Sequence, residues 1–151
     1  MQARSQDAVA KQFIGVWRLV STEQRLAEGT MRPSPMFGPD GVGYLVYSDT
    51  KRMCAILMDP ARPKWVDPSS PTEQEVRSAM NGFAAYCGTY DVDAAEGSVV
   101  HRVELDKVPN MIGTDRKRFF TFHGNRLVLR LAPPLPEGIL ESSLTWERVK
   151  I

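Results

Sequence analysis

Cysteine and histidine are scarce in this chain: its 151 residues include two of each, Cys54, Cys87, His101 and His123. Two cysteines cannot build a disulfide framework, and neither has the electropositive context of a reactive thiol, so both are expected as small buried hydrophobes. Two histidines far apart, with no cysteine or carboxylate cluster at ligand spacing, argue against a zinc site. A glycine-rich phosphate loop and a G-x-S-x-G elbow are missing as well, so no metal and no cofactor is expected. Nor does one sign of charge dominate. Nineteen basic residues against eighteen acidic ones leave a formal net charge of +1, which removes the field that nucleic-acid binders rely on. No apolar run approaches the ~20 residues that cross a bilayer as a helix. Met1 to Ala10 is polar, where a secretory peptide would carry an apolar run. The expected location is the cytoplasm.

What the chain does have is punctuation. Eleven glycines and eleven prolines are spread along it, dividing it into many short elements. Its length and its apolar and charged shares, 42% and 25%, suit one soluble domain over residues 1–151. Asp7 to Ile14 can form a short helix with Val9 and Phe13 turned inward. From Trp17 to about Leu26 the residues alternate, with Trp17, Leu19 and Ser21 on one face. Thr30 to Arg32 pairs briefly before a proline-rich loop. Gly43 to Ser48 and Arg52 to Met58 read as a hairpin whose inward rows are Gly43, Leu45, Tyr47 and Met53, Ala55, Leu57. The outer row of its second arm, Cys54, Ile56 and Met58, is also apolar and needs a cover. Thr72-Glu73-Gln74-Glu75 matches a capping box, so a helix from about Glu73 to Asn81 is the expected cover, with Val76, Ala79 and Met80 as its apolar stripe. Strands then follow at Phe83 to Asp93, Ser98 to Leu105, Arg116 to Phe122, Arg126 to Leu131 and Leu140 to Val149. The pattern predicts an all-β, antiparallel, up-and-down barrel of eight or nine strands, with one covering helix and a short N-terminal helix. A two-sheet sandwich is the alternative.

Any chemistry would stand on the inward faces. Side chains alternate along a strand, so Val99, His101, Val103 and Leu105 share one face, apolar except for His101. Setting Val92 opposite Val99 places Tyr90 opposite His101 and Gly88 opposite Val103. Gly124-Asn125 suits a two-residue turn. That turn pairs Phe122 with Leu127, Phe120 with Leu129 and Arg118 with Leu131, which puts Arg118 inside. Registering the inward rows across the loop from Asp106 to Gly113 brings His101 near Arg118. A polar girdle of Tyr90, His101 and Arg118 is the expected result. The inward rows drawn this way contain no Asp or Glu. A buried guanidinium cannot shed its charge, so the lack of an acid favours a wet or ligand-filled pocket over an ion pair. The alternative is an arginine at the barrel mouth or paired with Asp106 or Asp115. For His101 the alternative is a hydrogen-bonded core histidine, held neutral by its neighbour. Tyr47, Tyr86, Met53 and Phe120 complete the candidate pocket wall.

Several segments together resemble a known family. Gly15-Val16-Trp17 resembles the G-x-W signature of lipocalins, in which the tryptophan closes one end of the barrel and an arginine of the last strand packs across it. Arg148 matches that arginine. Phe13 to Ser21, Arg52-Met53, Gly82-Phe83, Ala85 to Tyr90, Val103-Glu104, Pro109-Asn110 and Leu144 to Arg148 extend the resemblance to the small bacterial and fungal lipocalin-like domain family, over almost the whole chain. The resemblance implies a calycin-type barrel that binds apolar ligands or assists a cyclisation in a natural-product pathway. The chain departs from the family pattern at Arg102, where a second histidine is common, which argues against paired-histidine chemistry. It departs again at Cys54 and Ile56, where polar residues are usual, which suggests a buried or oligomeric surface such as that of a homodimer.

The expected function is binding of a small apolar or amphipathic molecule with an anionic or carbonyl group, held by Arg118 with His101 and Tyr90. One alternative is an isomerase or cyclase in which His101 or Tyr90 handles a proton and Arg118 stabilises developing negative charge. Another is a filled barrel serving as an interaction module. A cavity behind His101 separates the last from the other two.

Overall fold

A computed structural model describes residues 5–151. The first four residues, which the single-domain expectation includes, lie outside the described residues. In chain order the elements are α1 (Gln6–Phe13), β1 (Gly15–Leu26), β2 (Met31–Arg32), β3 (Val42–Tyr47), β4 (Arg52–Met58), α2 (Glu73–Asn81), β5 (Phe83–Asp93), β6 (Ser98–Asp106), β7 (Asp115–His123), β8 (Arg126–Leu131) and β9 (Ile139–Arg148). A 3-10 turn at Pro109–Met111 lies between β6 and β7. Sequential neighbours pair antiparallel from β3 to β9, while β1 pairs with both β3 and β9. Eight strands therefore close into a barrel, with β2 an extra strand beside β1. Closure leaves those eight without a free edge, and the sandwich is not formed.

The end of the barrel at α1 is plugged. Phe13 meets Tyr47, Phe120 and Phe122 edge-on, with ring centroids 5.2, 5.0 and 5.0 Å away. Trp17 Nε1 donates to the Phe13 carbonyl at 2.8 Å. The Arg148 guanidinium lies 4.2 Å from the Trp17 ring centroid, a cation-π contact, and donates to the carbonyls of Ile14 and Gln12. Gly15 has φ +139°, and a Cβ there would stand 2.7 Å from Arg148 Nη1. The G-x-W glycine suits this positive φ, which an L side chain rarely adopts, and leaves room for the guanidinium.

The hairpin registers agree with expectation: Val92 faces Val99 and Tyr90 faces His101, while Phe122 faces Leu127 and Arg118 faces Leu131. Bulges change the faces elsewhere. An inserted residue reverses the in-out alternation beyond it. In β1 the register shifts between Leu19 and Ser21, so Thr22 and Gln24, not Ser21, turn inward. In β6 Cys87 faces Leu105 but Gly88 faces Val103, which makes Glu104 the inserted residue. Leu105, expected inside, is 65% exposed, and Asp106 turns into the barrel instead. Leu140 of β9 is skipped in the same way and lies exposed.

Two further expectations are corrected. The capping box of α2 forms, with Thr72 Oγ1 accepting from the Glu75 amide and Glu75 Oε1 from the Thr72 amide. Yet α2 does not cover the outer row of β4: no residue of the helix is buried, and Ile56 is 50% exposed. The helix is tied down by polar contacts instead, from Arg62 to the Ala79 carbonyl, from Trp65 to that of Glu75, and from Lys107 to those of Met80 and Phe83. Val42, Tyr44 and Val46 of β3 share the exposure of Ile56. The two cysteines, expected unbridged, form a disulfide. Pairing of β4 with β5 sets Cys54 and Cys87 directly opposite one another, a proximity that their sequence separation of 33 residues does not reveal.

Candidate functional site

The aromatic plug does not fill the barrel. Beyond it lies a cavity of about 300 Å³, at the lower end of the range for small-ligand sites. Leu45, Ala55 and Leu57 of β3 and β4 line one side and Leu129 and Leu131 of β8 another, with Met36 and Phe37 reaching in from the loop before β3. Thr22 of β1 and Ser142 of β9 supply hydroxyls. Facing β1 and β9 across the barrel are β5, β6 and β7, whose Tyr86, His101, Asp106, Arg116 and Arg118 make a polar wall.

The β7–β8 register sends alternate residues of β7 inward, so Arg116 lies in the same row as Arg118. Across to β6, His101 faces Arg116, and Arg118 faces Val99, placing Arg118 diagonal to His101. The two arginines differ in partner. Arg116 Nη2 is 2.8 Å from Asp106 Oδ2, with side-chain exposures of 20% and 5%, and its guanidinium lies 4.2 Å from the Tyr86 ring centroid. Arg118 has no ion-pair partner among the described residues; its Nη1 donates to the Lys117 carbonyl at 3.1 Å. Burial first, and the neighbouring Arg116 after it, lower its affinity for the proton, yet a guanidinium keeps its charge in proteins.

His101, 1% exposed, stands between two tyrosines. Its Nε2 is 2.6 Å from the Tyr47 hydroxyl and its Nδ1 2.8 Å from the Tyr86 hydroxyl. Burial above all, and then Arg118 and Arg116, push its pKa down to about 3. The ring is therefore neutral, with one nitrogen donating and the other accepting. Tyr47 is fully enclosed and its hydroxyl has His101 as its one hydrogen-bond partner among the described residues, so its proton must go to Nε2. Nδ1–H then donates to the Tyr86 oxygen, which leaves the Tyr86 proton for the cavity. Burial is the first cause raising the pKa of both tyrosines, so both hydroxyls stay protonated. The chain Tyr47 to His101 to Tyr86 aims one polarised O–H at the cavity, each bond strengthening the next.

The buried neutral histidine has a measurable consequence. Between its ordinary value of 6.5 and its folded value of about 3 the unfolded chain holds a proton that the folded chain does not. Its contribution is fully present above pH 6.5 and falls as the pH drops, by about 1.4 kcal/mol per unit within that window. Urea unfolding at pH 7 and pH 5 should show a difference that is reduced by more than half in His101→Gln. Equal pH dependence of the two proteins would contradict a neutral His101.

The other candidates lie elsewhere. Tyr90 donates its hydroxyl to the Ser48 carbonyl at 2.8 Å and packs on Tyr47, ring centroids 4.7 Å apart, so it joins the plugged end and not the polar wall. Met53 and Phe120 also pack in the core and do not line the cavity. Tyr47 touches the site only through His101. Tyr86, His101 and Arg118 are brought together on the cavity wall. Sequence reasoning missed Arg116 and named Asp106 only as a loop acid that could pair with Arg118. The first was legible, two residues before Arg118 in the same strand; the second depends on the bulge at Glu104.

A family profile described as a lipocalin-like domain matches residues 14–149. The chain belongs to the lipocalin-like domain family. This lipocalin-like protein is 34% identical over 107 residues to the 4'-hydroxy-3'-methoxypropiophenone carrier protein ppsC of Aspergillus oryzae, a match spanning 64% of the present chain and 96% of the fungal protein. Among solved structures, a lipocalin-like protein from Bacteroides uniformis is 12% identical with a TM-score of 0.43, covering 91% of this chain and 99% of its own. A mutant of the fluorescent protein UnaG is also 12% identical, with a TM-score of 0.42 and coverage of 94% and 99%. The lipocalin-like chain has no helix long and apolar enough to cross a membrane among its described residues.

Proposed function

We propose that this protein binds and carries a small, largely apolar molecule with an anionic or carbonyl group that is held by Arg118 and Tyr86. The observation that carries the reading is a guanidinium without a carboxylate partner on the wall of a cavity rich in Leu and Ala. The cargo named for the Aspergillus oryzae relative supports it, since an aryl ketone of one ring with a phenolic hydroxyl suits a cavity of about 300 Å³. Proton transfer by His101 draws no support, because both ring nitrogens are engaged by tyrosines.

Titration with 4'-hydroxy-3'-methoxypropiophenone, followed by calorimetry and native mass spectrometry, tests the proposal. One equivalent should bind. Ala55 is buried, lines the cavity and carries only a methyl group, so Ala55→Phe should fill much of the space and weaken binding roughly 100-fold, about 2.7 kcal/mol, while the far-ultraviolet circular dichroism stays that of a barrel. Binding unchanged in Ala55→Phe would place the ligand elsewhere. Failure of the wild type to retain this ketone, or any component of a lipid and polyketide mixture, would overturn the carrier reading.

A further inference from the structure

We infer that the cavity takes a phenolic ligand as its phenolate, so that the site itself ionises the molecule it carries. This rests on the proposed binding of a small molecule beside Arg118 and adds the protonation state in which it is held. Charge on the cavity wall leads to it. The charged side chains lining the cavity are Asp106, Lys107, Arg116 and Arg118. Asp106 and Arg116 neutralise one another. The Lys107 ammonium is turned to the Met80 carbonyl at the C-terminal end of α2, where partial negative charge accumulates, and to the Phe83 carbonyl at the start of β5. His101 is neutral, and Tyr47 and Tyr86 keep their protons. With the Lys107 ammonium engaged by two carbonyls, the cation left on the wall without a carboxylate is Arg118, of which only Nη1 is engaged, by the Lys117 carbonyl.

A neutral ketone oxygen could accept a hydrogen bond from that guanidinium but would leave its charge uncompensated in a poorly hydrated site. A phenolate compensates it, and a charge-assisted bond is about twice as strong as a neutral one. An acyl group para to the hydroxyl makes such a phenol more acidic than tyrosine, because the carbonyl delocalises the anion. On binding, the phenol O–H bond breaks and its proton leaves to solvent buffer. No wall residue is free to take it, since Asp106 is paired and both nitrogens of His101 are bonded. The phenolate oxygen then accepts from Arg118 and from the Tyr86 O–H, which the Tyr47 to His101 chain has already oriented. The ketone end of the molecule extends toward the hydroxyls of Ser142 and Thr22 on the far wall.

Absorbance decides the matter, because the phenolate band of a 4-acylphenol lies well to the red of the phenol band. The full chain is titrated with 4'-hydroxy-3'-methoxypropiophenone across a pH series. The bound ligand should ionise at least one pH unit below the free ligand, and calorimetry in two buffers of different protonation enthalpy should report proton release. In Arg118→Met the ionisation should return to the free value or above it. The methyl ether, 3',4'-dimethoxypropiophenone, cannot ionise, so its binding to the wild type should release no proton and should be weakened less by Arg118→Met than that of the phenol. Arg118→Lys, which keeps the charge, should retain part of the shift. A ligand that binds stoichiometrically yet absorbs as the neutral phenol overturns this inference and leaves the carrier reading standing. Absence of binding by either ketone overturns both.

Discussion

Gly88→Ala is expected to destabilise the barrel by about 3 kcal/mol or more, because a Cβ there would make the shortest approach of any added at this chain's glycines. A Cβ at that position would lie 1.8 Å from the Arg102 carbonyl oxygen and 2.8 Å from its carbon. Both are backbone atoms of the neighbouring strand, so no side chain can turn aside to make room. Relief requires β5 and β6 to separate where their register shifts. That shift presents Asp106 to the interior, so the same substitution should weaken ligand binding even in the fraction that folds. Urea unfolding followed by tryptophan fluorescence checks the first consequence, and calorimetry with 4'-hydroxy-3'-methoxypropiophenone the second. A variant as stable as the wild type would show that the two strands are not in contact at this point.

Asp106→Ala should cost about 3 kcal/mol as well, for an electrostatic reason. Breaking a buried ion pair by removing one partner leaves the other charge uncompensated. Asp106 is the more buried member, at 5% side-chain exposure against 20% for Arg116, and the Arg116 guanidinium also lies over the Tyr86 ring. The variant would therefore carry two unneutralised guanidinium groups on one wall. Its stability should become dependent on added anions: benzoate should raise its thermal midpoint by several degrees and leave that of the wild type less changed. A loss of less than 1 kcal/mol, without any response to benzoate, would mean that Arg116 reaches water and that Asp106 is not what silences it.

These two residues show where sequence reasoning stopped. The barrel, the capped helix and the inward position of Arg118 follow from local patterns, and the contact between Arg148 and Trp17 is implied by the resemblance to lipocalins. Turn chemistry at Gly124-Asn125 sets the register of β7 on β8, and a period of two then decides every face in that hairpin. The same alternation applied to β6 predicts Leu105 inside and no acid in the barrel, and both statements fail beyond Glu104. One extra residue reverses the faces, and its trace in the sequence is a single glycine on a different strand. Arg116 is another matter, since it stood in the predicted inward row and needed only to be counted with Arg118.

By itself the sequence determined the order of the strands, the span of the capped helix and the presence of an inward arginine, because each of these depends on residues close together in the chain. The tertiary structure alone decided that Asp106 silences Arg116 and not Arg118, that Tyr47 and Tyr86 enclose His101, that Tyr90 bonds away from the cavity, and that Cys54 meets Cys87. Each depends on which backbones approach across long separations and where a strand takes up an extra residue. Those contacts are selected by the closure of the whole barrel, not by any short stretch of it.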